Sequence, residues 1–197
     1  MDYQLLLNNF RKQIDLTTEE EKLILSYVIK RNYKKGEFIN FKDEVNRYTN
    51  FVKEGSVRTF YIDSNGNEHI IQLAISEWWI GDFPSFVKQQ PGFLYTQALS
   101  RVELLSISID HLELIYQSVP KMERFFRLLT QNAYVSFQLR ILHNLSFDAE
   151  QRYLTFRTTY PEMEKQISQK HIASFLGISA EFLSKIKKRI ALKELNK

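Results

Sequence analysis

Residues 169–188 read Gln169-Lys170-His171-Ile172-Ala173-Ser174-Phe175-Leu176-Gly177-Ile178-Ser179-Ala180-Glu181-Phe182-Leu183-Ser184-Lys185-Ile186-Lys187-Lys188, followed by Arg189. The segment places polar and cationic side chains at helical spacing. A carboxylate such as Glu181 can accept from a cytosine amino group, and Lys185 can donate to guanine. Lys187, Lys188 and Arg189 suit phosphate oxygens, which position a protein on a duplex without specifying sequence. The charge is local. Residues 166–197 hold seven cations (Lys170, Lys185, Lys187, Lys188, Arg189, Lys193 and Lys197) against Glu181 and Glu194, a net +5, whereas the rest of the chain has 20 cations and 21 anions, a net −1. A near-neutral body with a basic end suits a module that faces nucleic acid. The competing reading is a lysine-rich, solvated helix face.

Such side chains need a scaffold that presents them. Ala173 is small where two helices must approach, Gly177 falls four residues later where a turn needs positive φ, and Leu183, six further on, can lock the second helix onto the first. Ile172, Leu176, Ile178 and Ile186 fill the remaining apolar positions, and Ser179 can cap the second helix. The spacing predicts a helix-turn-helix, its second helix in the major groove of double-stranded DNA. The residues expected at DNA are Ser179, Ala180, Glu181, Ser184, Lys185, Lys188 and Arg189, with Gln169 and His171 from the first helix. Phe182 is also expected to point outward, and His171 to touch a phosphate.

The remainder must hold this module and fold. The chain has 197 residues, 44% hydrophobic and 14% aromatic, enough for one large domain or two modest ones and too apolar for disorder. With no cysteine, disulfide scaffolds, Cys-ligated metal sites and thiol nucleophiles are excluded. No apolar run nears the roughly 20 residues of a membrane span, and Met1-Asp2-Tyr3-Gln4-Leu5 lacks the features of a signal peptide. The expectation is a cytoplasmic protein with no membrane partner.

Residues 3–30 read as two helices. Leu5, Leu6, Phe10 and Ile14 mark the first, and Thr17-Thr18-Glu19-Glu20-Glu21 gives a cap and first-turn carboxylates for the second. From Lys34 the period changes to two, with strands expected at 38–41, 48–52, 57–62, 69–73, 94–99 and 102–108. The Asp63-Ser64-Asn65-Gly66-Asn67 turn makes a hairpin of the middle pair. Short strands with glycine turns point to a sandwich or barrel. Asp110 is expected to cap a short helix through about Gln117. Pro120 then opens a helix to about Leu145, and another runs from about Asp148 to Thr159. Met122, Phe126, Leu129, Ala133 and Phe137 recur at helical spacing on the long helix and are the expected dimerisation residues, against the reading that they pack onto the chain's own barrel.

No catalytic constellation emerges. The serines lack a nucleophile-elbow context, six glycines form no phosphate-cradling loop, and His69, His111, His143 and His171 have no ligand spacing. The expectation is a protein that is not an enzyme and holds no metal.

Lys35-Gly36-Glu37, the turn from Gly55 to Gly66, Trp79-Ile80-Gly81-Asp82-Phe83 and the helix-turn-helix together resemble the Crp/Fnr family of transcriptional regulators, especially its short Bacteroidetes members, over about residues 10–190. The resemblance implies an α+β fold: an N-terminal cyclic-nucleotide-binding-like β-barrel (jelly roll) with flanking helices over 1–118, a dimerisation helix over 119–146, and a helix-turn-helix over 147–197 lacking a full wing, since the sequence stops about seven residues past Ile190. In cAMP-binding relatives a Gly-Glu-Leu turn holds the ribose and an Arg-Ser pair neutralises the phosphate. Here the first element reads Gly81-Asp82-Phe83, the second falls near Pro91-Gly92-Phe93-Leu94-Tyr95, and the only cation between Gly81 and Ser100 is Lys88. A buried phosphate without a cation is costly, so cAMP is not expected to be the effector. The expected pocket comprises Gly81, Asp82, Phe83 and Tyr95, with Asp82 accepting from a ribose hydroxyl, and Trp78, Trp79 and Phe86 as further candidates for its lining; another small-molecule effector stays unidentified. Glu181 matches the family's base-reading glutamate, whereas Ala180 and Lys185 stand where many members carry arginine. The expected function is a homodimeric DNA-binding transcription regulator on a pseudo-palindromic operator, with RNA polymerase as a further candidate partner. The alternative is a cyclic-nucleotide-type ligand-binding module whose C-terminal helices bind protein.

Overall fold

The computed structural model describes residues 3–195; Met1, Asp2 and Lys197, which entered the sequence reading, lie outside them. Two helices open the chain, α1 (Gln4–Arg11) and α2 (Thr18–Ser26). The second starts at a capping box: Thr17 Oγ accepts from the Glu20 amide at 3.3 Å, and the Glu20 carboxylate accepts from the Thr17 amide at 2.7 Å. The chain then becomes strand earlier than its periodicity suggested. β1 (Ile29–Tyr33) includes residues 29 and 30, read above as helical, because Ile29 to Tyr33 pair with Ser106 to Val102 of a distant strand.

The strands β2 (Phe38–Asn40), β3 (Tyr48–Glu54), β4 (Val57–Ile62) and β5 (Glu68–Ala74) follow. Then come β6 (Trp79–Ile80), helix α3 (Phe83–Lys88), β7 (Tyr95–Ala98) and β8 (Val102–Ser108). The turn between β4 and β5 is tied by Asp63, whose carboxylate accepts from the Asn65 and Asn67 amides. Two antiparallel four-stranded sheets result, ordered β1-β8-β3-β6 and β2-β7-β4-β5, the two-sheet sandwich of the expected jelly roll. Neither β6 nor α3 was anticipated; two residues are too few to show a period.

Three apolar layers hold the molecule. Val52, Val57, Ala74, Ala98 and Leu104 fill the space between the sheets. The outer face of the first sheet, with Phe51, Leu105 and Ile107, is covered by α1, α2, α4 (Ile109–Ser118) and the start of α5 (Lys121–Ser146). The cap of α4 is Ser108, whose Oγ accepts from the His111 amide at 3.1 Å, and not Asp110, which lies in the first turn. The outer face of the second sheet, with Phe60, Ile70 and Leu73, shares one core with the C-terminal helices α6 (Ala149–Thr159), α7 (Pro161–Gln166), α8 (Gln169–Phe175) and α9 (Ala180–Leu195). Helix α6 begins where the sequence indicated, with Asp148 as its cap; α7 was not anticipated.

Helix α5 changes character along its length. Met122 is wholly buried in its own protomer, and Phe126 and Leu129 are half-buried against the same core, so these three are not the free surface expected of them. Beyond Leu129 the helix leaves the apolar core over the first sheet. At 100° per residue, Tyr134, Val135, Gln138, Ile141, Leu142 and Leu145 share one arc, and all are exposed, Leu145 by 82% and Leu142 by 55%. Ala133 and Phe137 are exposed too, but Phe137 lies toward the opposite side, beside Arg140, which touches the chain's own sandwich.

Candidate nucleic-acid interface

The helix-turn-helix forms with α8 and α9 as its two helices. Gly177 takes φ +69°, and its neighbour Ile178 donates its amide to the Ala173 carbonyl at 3.0 Å, closing the end of α8. Ser179 Oγ accepts from the Phe182 amide at 3.1 Å and so caps α9. Ala173 and Leu183 are buried between the helices, with Ile172, Leu176 and Ile186 around them.

The outer side of α9 is sharply divided. Glu181, Lys185 and Lys188 recur at i, i+4 and i+7 and are all exposed. Neither lysine has an ion-pair partner among the described residues. A hydrogen bond from its own backbone amide, then one from the Ser179 hydroxyl, holds the Glu181 carboxyl below the ordinary glutamate range, so it is an ionised acceptor at neutral pH. Phe182 is exposed beside this face, while Ala180 and Ser184 are half-buried.

Other expected contacts are committed elsewhere. Arg189 is ion-paired with Glu150 of α6, which also takes Lys193 at 2.9 Å. Lys187 pairs with Glu164 of α7 at 3.2 Å and lies 5.7 Å from the Tyr153 ring centre. These cations fasten α9 to its own supporting helices, so of the three expected at phosphates only Lys188 is unpaired. Gln169 Nε2 donates to the Ala180 carbonyl at 2.9 Å and braces the motif from within. His171 Nδ1 lies 2.9 Å from Ser168 Oγ, and the charges nearest its ring are Arg58, Lys170, Glu68 and Lys35. Burial, then Arg58, pushes its pKa below the ordinary histidine range, so it is neutral at pH 7 against the sandwich, not a phosphate-binding cation. Glu150 and Glu164, which decide these outcomes, lie outside the motif, and no local signal marked them.

The second region of interest is the turn between β6 and β7. Asp82 is wholly buried; its carboxylate accepts from the Ser85 amide at 3.1 Å and the Leu94 amide at 3.3 Å. Ser85 Oγ accepts from the Asn46 amide at 2.9 Å and donates to the Gln90 carbonyl at 2.6 Å, and Asn46 Nδ2 donates to the Asp82 carbonyl at 3.1 Å. The loop folds so tightly over the carboxylate that a Cβ at Gly92 would collide with it. Asp82 is thus a cap for α3 and a clamp on the loop, not a free ribose acceptor. Phe83 points outward, 56% exposed. Tyr95 pairs in register with Phe60 and stacks on it at 5.4 Å, on the outer face of the second sheet, while Thr96 beside it turns inward to Thr59. The fold brings Gly81-Asp82-Phe83 beside the Leu94-Tyr95 segment, but the side chains diverge: Asp82 is buried, Phe83 faces outward and Tyr95 lies on Phe60. Trp79 donates Nε1 to Asn9 at 3.0 Å, Phe86 joins the helical core, and Trp78 meets Tyr160 edge-on, so these aromatics serve packing. The polar partners Asn46 and Ser85 carried no sequence signal, since Asn46 lies on a distant loop. Among the described residues no helix is long and apolar enough to cross a membrane, and no group of three or more potential metal ligands occurs.

Residues 30–118 match the family model of the cyclic nucleotide-binding domain. No curated protein matches the chain in sequence. Among solved structures, the c-di-GMP responsive global regulator CLP of Xanthomonas campestris is similar with a TM-score of 0.71 and 16% identity, covering 91% of this chain and 94% of its own. FixK2 from Bradyrhizobium japonicum gives 0.73 and 18% over 85% and 86%. A crp/fnr-family protein from Eubacterium rectale gives 0.66 and 18% over 91% and 85%. At these identities the likeness is one of fold. The chain therefore carries a domain of the cyclic nucleotide-binding type at residues 30–118, within the overall fold of the Crp/Fnr transcriptional regulators.

Proposed function

We propose that the protein is a homodimeric, DNA-binding transcription regulator that reads a two-fold-symmetric site and does not use cAMP as its effector. The observation that carries this reading is the face of α9: Glu181, Lys185 and Lys188 are aligned and exposed, while the other sides of the helix are fastened to α6, α7 and α8. A helix held this way enters the major groove as a rigid body. Glu181 and Lys185 meet base edges, and Lys188 meets phosphate. The exposed apolar arc of α5 from Tyr134 to Leu145 pairs with the same arc of a second copy, in place of the more N-terminal residues read from the sequence. Two recognition helices then sit about 34 Å apart, one turn of DNA.

The exclusion of cAMP rests on two features. The stretch from Gly81 to Ser100 offers no arginine to a phosphate. The polar groups around Asp82 already satisfy one another, so a nucleotide would have to break existing hydrogen bonds to make its own.

Selection of bound duplexes from a random pool, with and without cAMP, tests the reading. The expected result is a two-fold-symmetric site enriched equally in both conditions, with affinity falling steeply with salt because phosphate contacts release counterions. Enrichment of no sequence, or of one only with cAMP, would contradict it.

A further inference from the structure

Strand β5 lies at an edge of its sheet, and an edge strand presents backbone groups with no strand to pair them. Three of those on β5 are taken up by the helices α8 and α5. Ser174 of α8 donates its hydroxyl to the Glu68 carbonyl at 2.9 Å and accepts from the Ile70 amide at 3.2 Å. Three residues on from Glu68, the carbonyl of Ile71 accepts from Arg140 Nη1 of α5 at 2.6 Å. Arg140 also lies over the ring of Phe175, the neighbour of Ser174, at 4.7 Å, and over Phe137 of its own helix at 5.5 Å. Three residues of one edge strand, Glu68, Ile70 and Ile71, therefore receive both the long helix and the first helix of the helix-turn-helix, and Arg140 touches both the strand and that motif.

The position of Arg140 on α5 gives this contact its consequence. Its side chain emerges roughly opposite the exposed arc of Tyr134, Val135, Gln138, Ile141, Leu142 and Leu145. Rotating α5 to repack that arc against a second copy swings Arg140 across the edge of β5 and against Phe175. Arg140 has no carboxylate partner among the described residues, so its charge is held only by the Ile71 carbonyl and two aromatic faces. This planar, geometrically demanding arrangement is one that lysine reproduces poorly. Burial lowers its pKa, in keeping with a guanidinium withdrawn from water.

Resting on the reading as a dimeric DNA-binding regulator, we infer that Arg140 is a positioning residue that couples the setting of α5 to the placement of α8, and thereby fixes the spacing between half-sites that the dimer accepts. A bare structural brace would affect stability alone; a spacing determinant changes which DNA is chosen.

The test uses the full chain and a set of duplexes in which the two selected half-sites are separated by the preferred spacer and by one or two base pairs more or fewer. A duplex with one half-site serves as reference. Wild type is expected to prefer one spacing by about tenfold or more, within the usual range of coupling between sites. Arg140→Ala is expected to flatten that preference to within about threefold while binding the single half-site within about twofold of wild type. Arg140→Lys and Phe175→Leu, which retain a donor or an apolar contact, are expected to fall between them, and they carry the test if Arg140→Ala does not fold. A folded Arg140 or Phe175 variant with the wild-type spacing profile would overturn this inference alone. Failure of wild type to bind any of the duplexes would overturn it together with the functional reading beneath it.

Discussion

Two helices in this molecule start in the same way and end in opposite roles. Asp82 caps α3 and Ser179 caps α9, each accepting from an amide three residues on. At α3 the polar groups turn inward: Asp82, Ser85 and Asn46 satisfy one another beneath a loop folded down at Gly92. At α9 they turn outward, and Glu181, Lys185 and Lys188 are left facing solvent. The difference teaches that residue type alone does not separate a binding site from a structural cluster. What separates them is whether the hydrogen-bonding capacity is already used, because breaking a buried set costs the desolvation of every group left unpaired.

The largest expected effect breaks the inward half of this comparison. Asp82→Ala leaves the Ser85 and Leu94 amides without their acceptor and should cost roughly 3 kcal/mol of folding stability, read as a lowered midpoint of chemical denaturation. Next, Leu142→Asp combined with Leu145→Asp should leave the monomer fold within about 0.5 kcal/mol of wild type, since both side chains are exposed. The same pair should abolish dimer formation in sedimentation and weaken binding to the symmetric site by about a hundredfold or more. Lys185→Ala should weaken DNA binding about tenfold with no loss of stability. Arg189→Ala, despite carrying the same charge change, should stay within about threefold, because Arg189 is occupied by Glu150.

The smallest effect concerns the sandwich beneath α8. Glu68 accepts two hydrogen bonds from Arg58, which hold its carboxyl below the ordinary value of 4.5. A carboxylate whose pKa is depressed in the folded state stabilises the fold above its unfolded pKa, and that contribution is lost as pH falls through the folded value. Stability of the wild type should therefore decline below about pH 4.5, and less steeply in Glu68→Gln, measured as melting temperature against pH.

How much of this was legible in the sequence depended on distance along the chain. The helix-turn-helix could be read because Ala173, Gly177 and Leu183 interact within a dozen residues, so their spacing is itself the geometry. The cap at Thr17 and the start of the helix near Asp148 were legible for the same reason. β1 was missed because its pairing with β8 is set far away. The stripe on α5 reads as continuous from Met122 to Phe137, yet the apolar core over the first sheet ends beneath Leu129, and only the packing reveals where the buried stripe becomes a free one. Asp82 was assigned a ligand role from a family pattern, and the loop closure at Gly92 that consumes it leaves no periodic trace. The surroundings of Arg189 and His171 were not legible, because Glu150 on α6 and the Arg58–Glu68 pair under α8 are brought near them by the tertiary fold.

The most direct measurement is a fluorescence-anisotropy titration of the selected symmetric duplex with the full chain, at fixed salt, with and without saturating cAMP. The expected dissociation constants agree within about twofold, as they must when a compound has no differential affinity for the DNA-bound form. An increase in affinity of about tenfold or more with cAMP would contradict the view that the polar groups around Asp82 are already satisfied and that the free ones lie on α9.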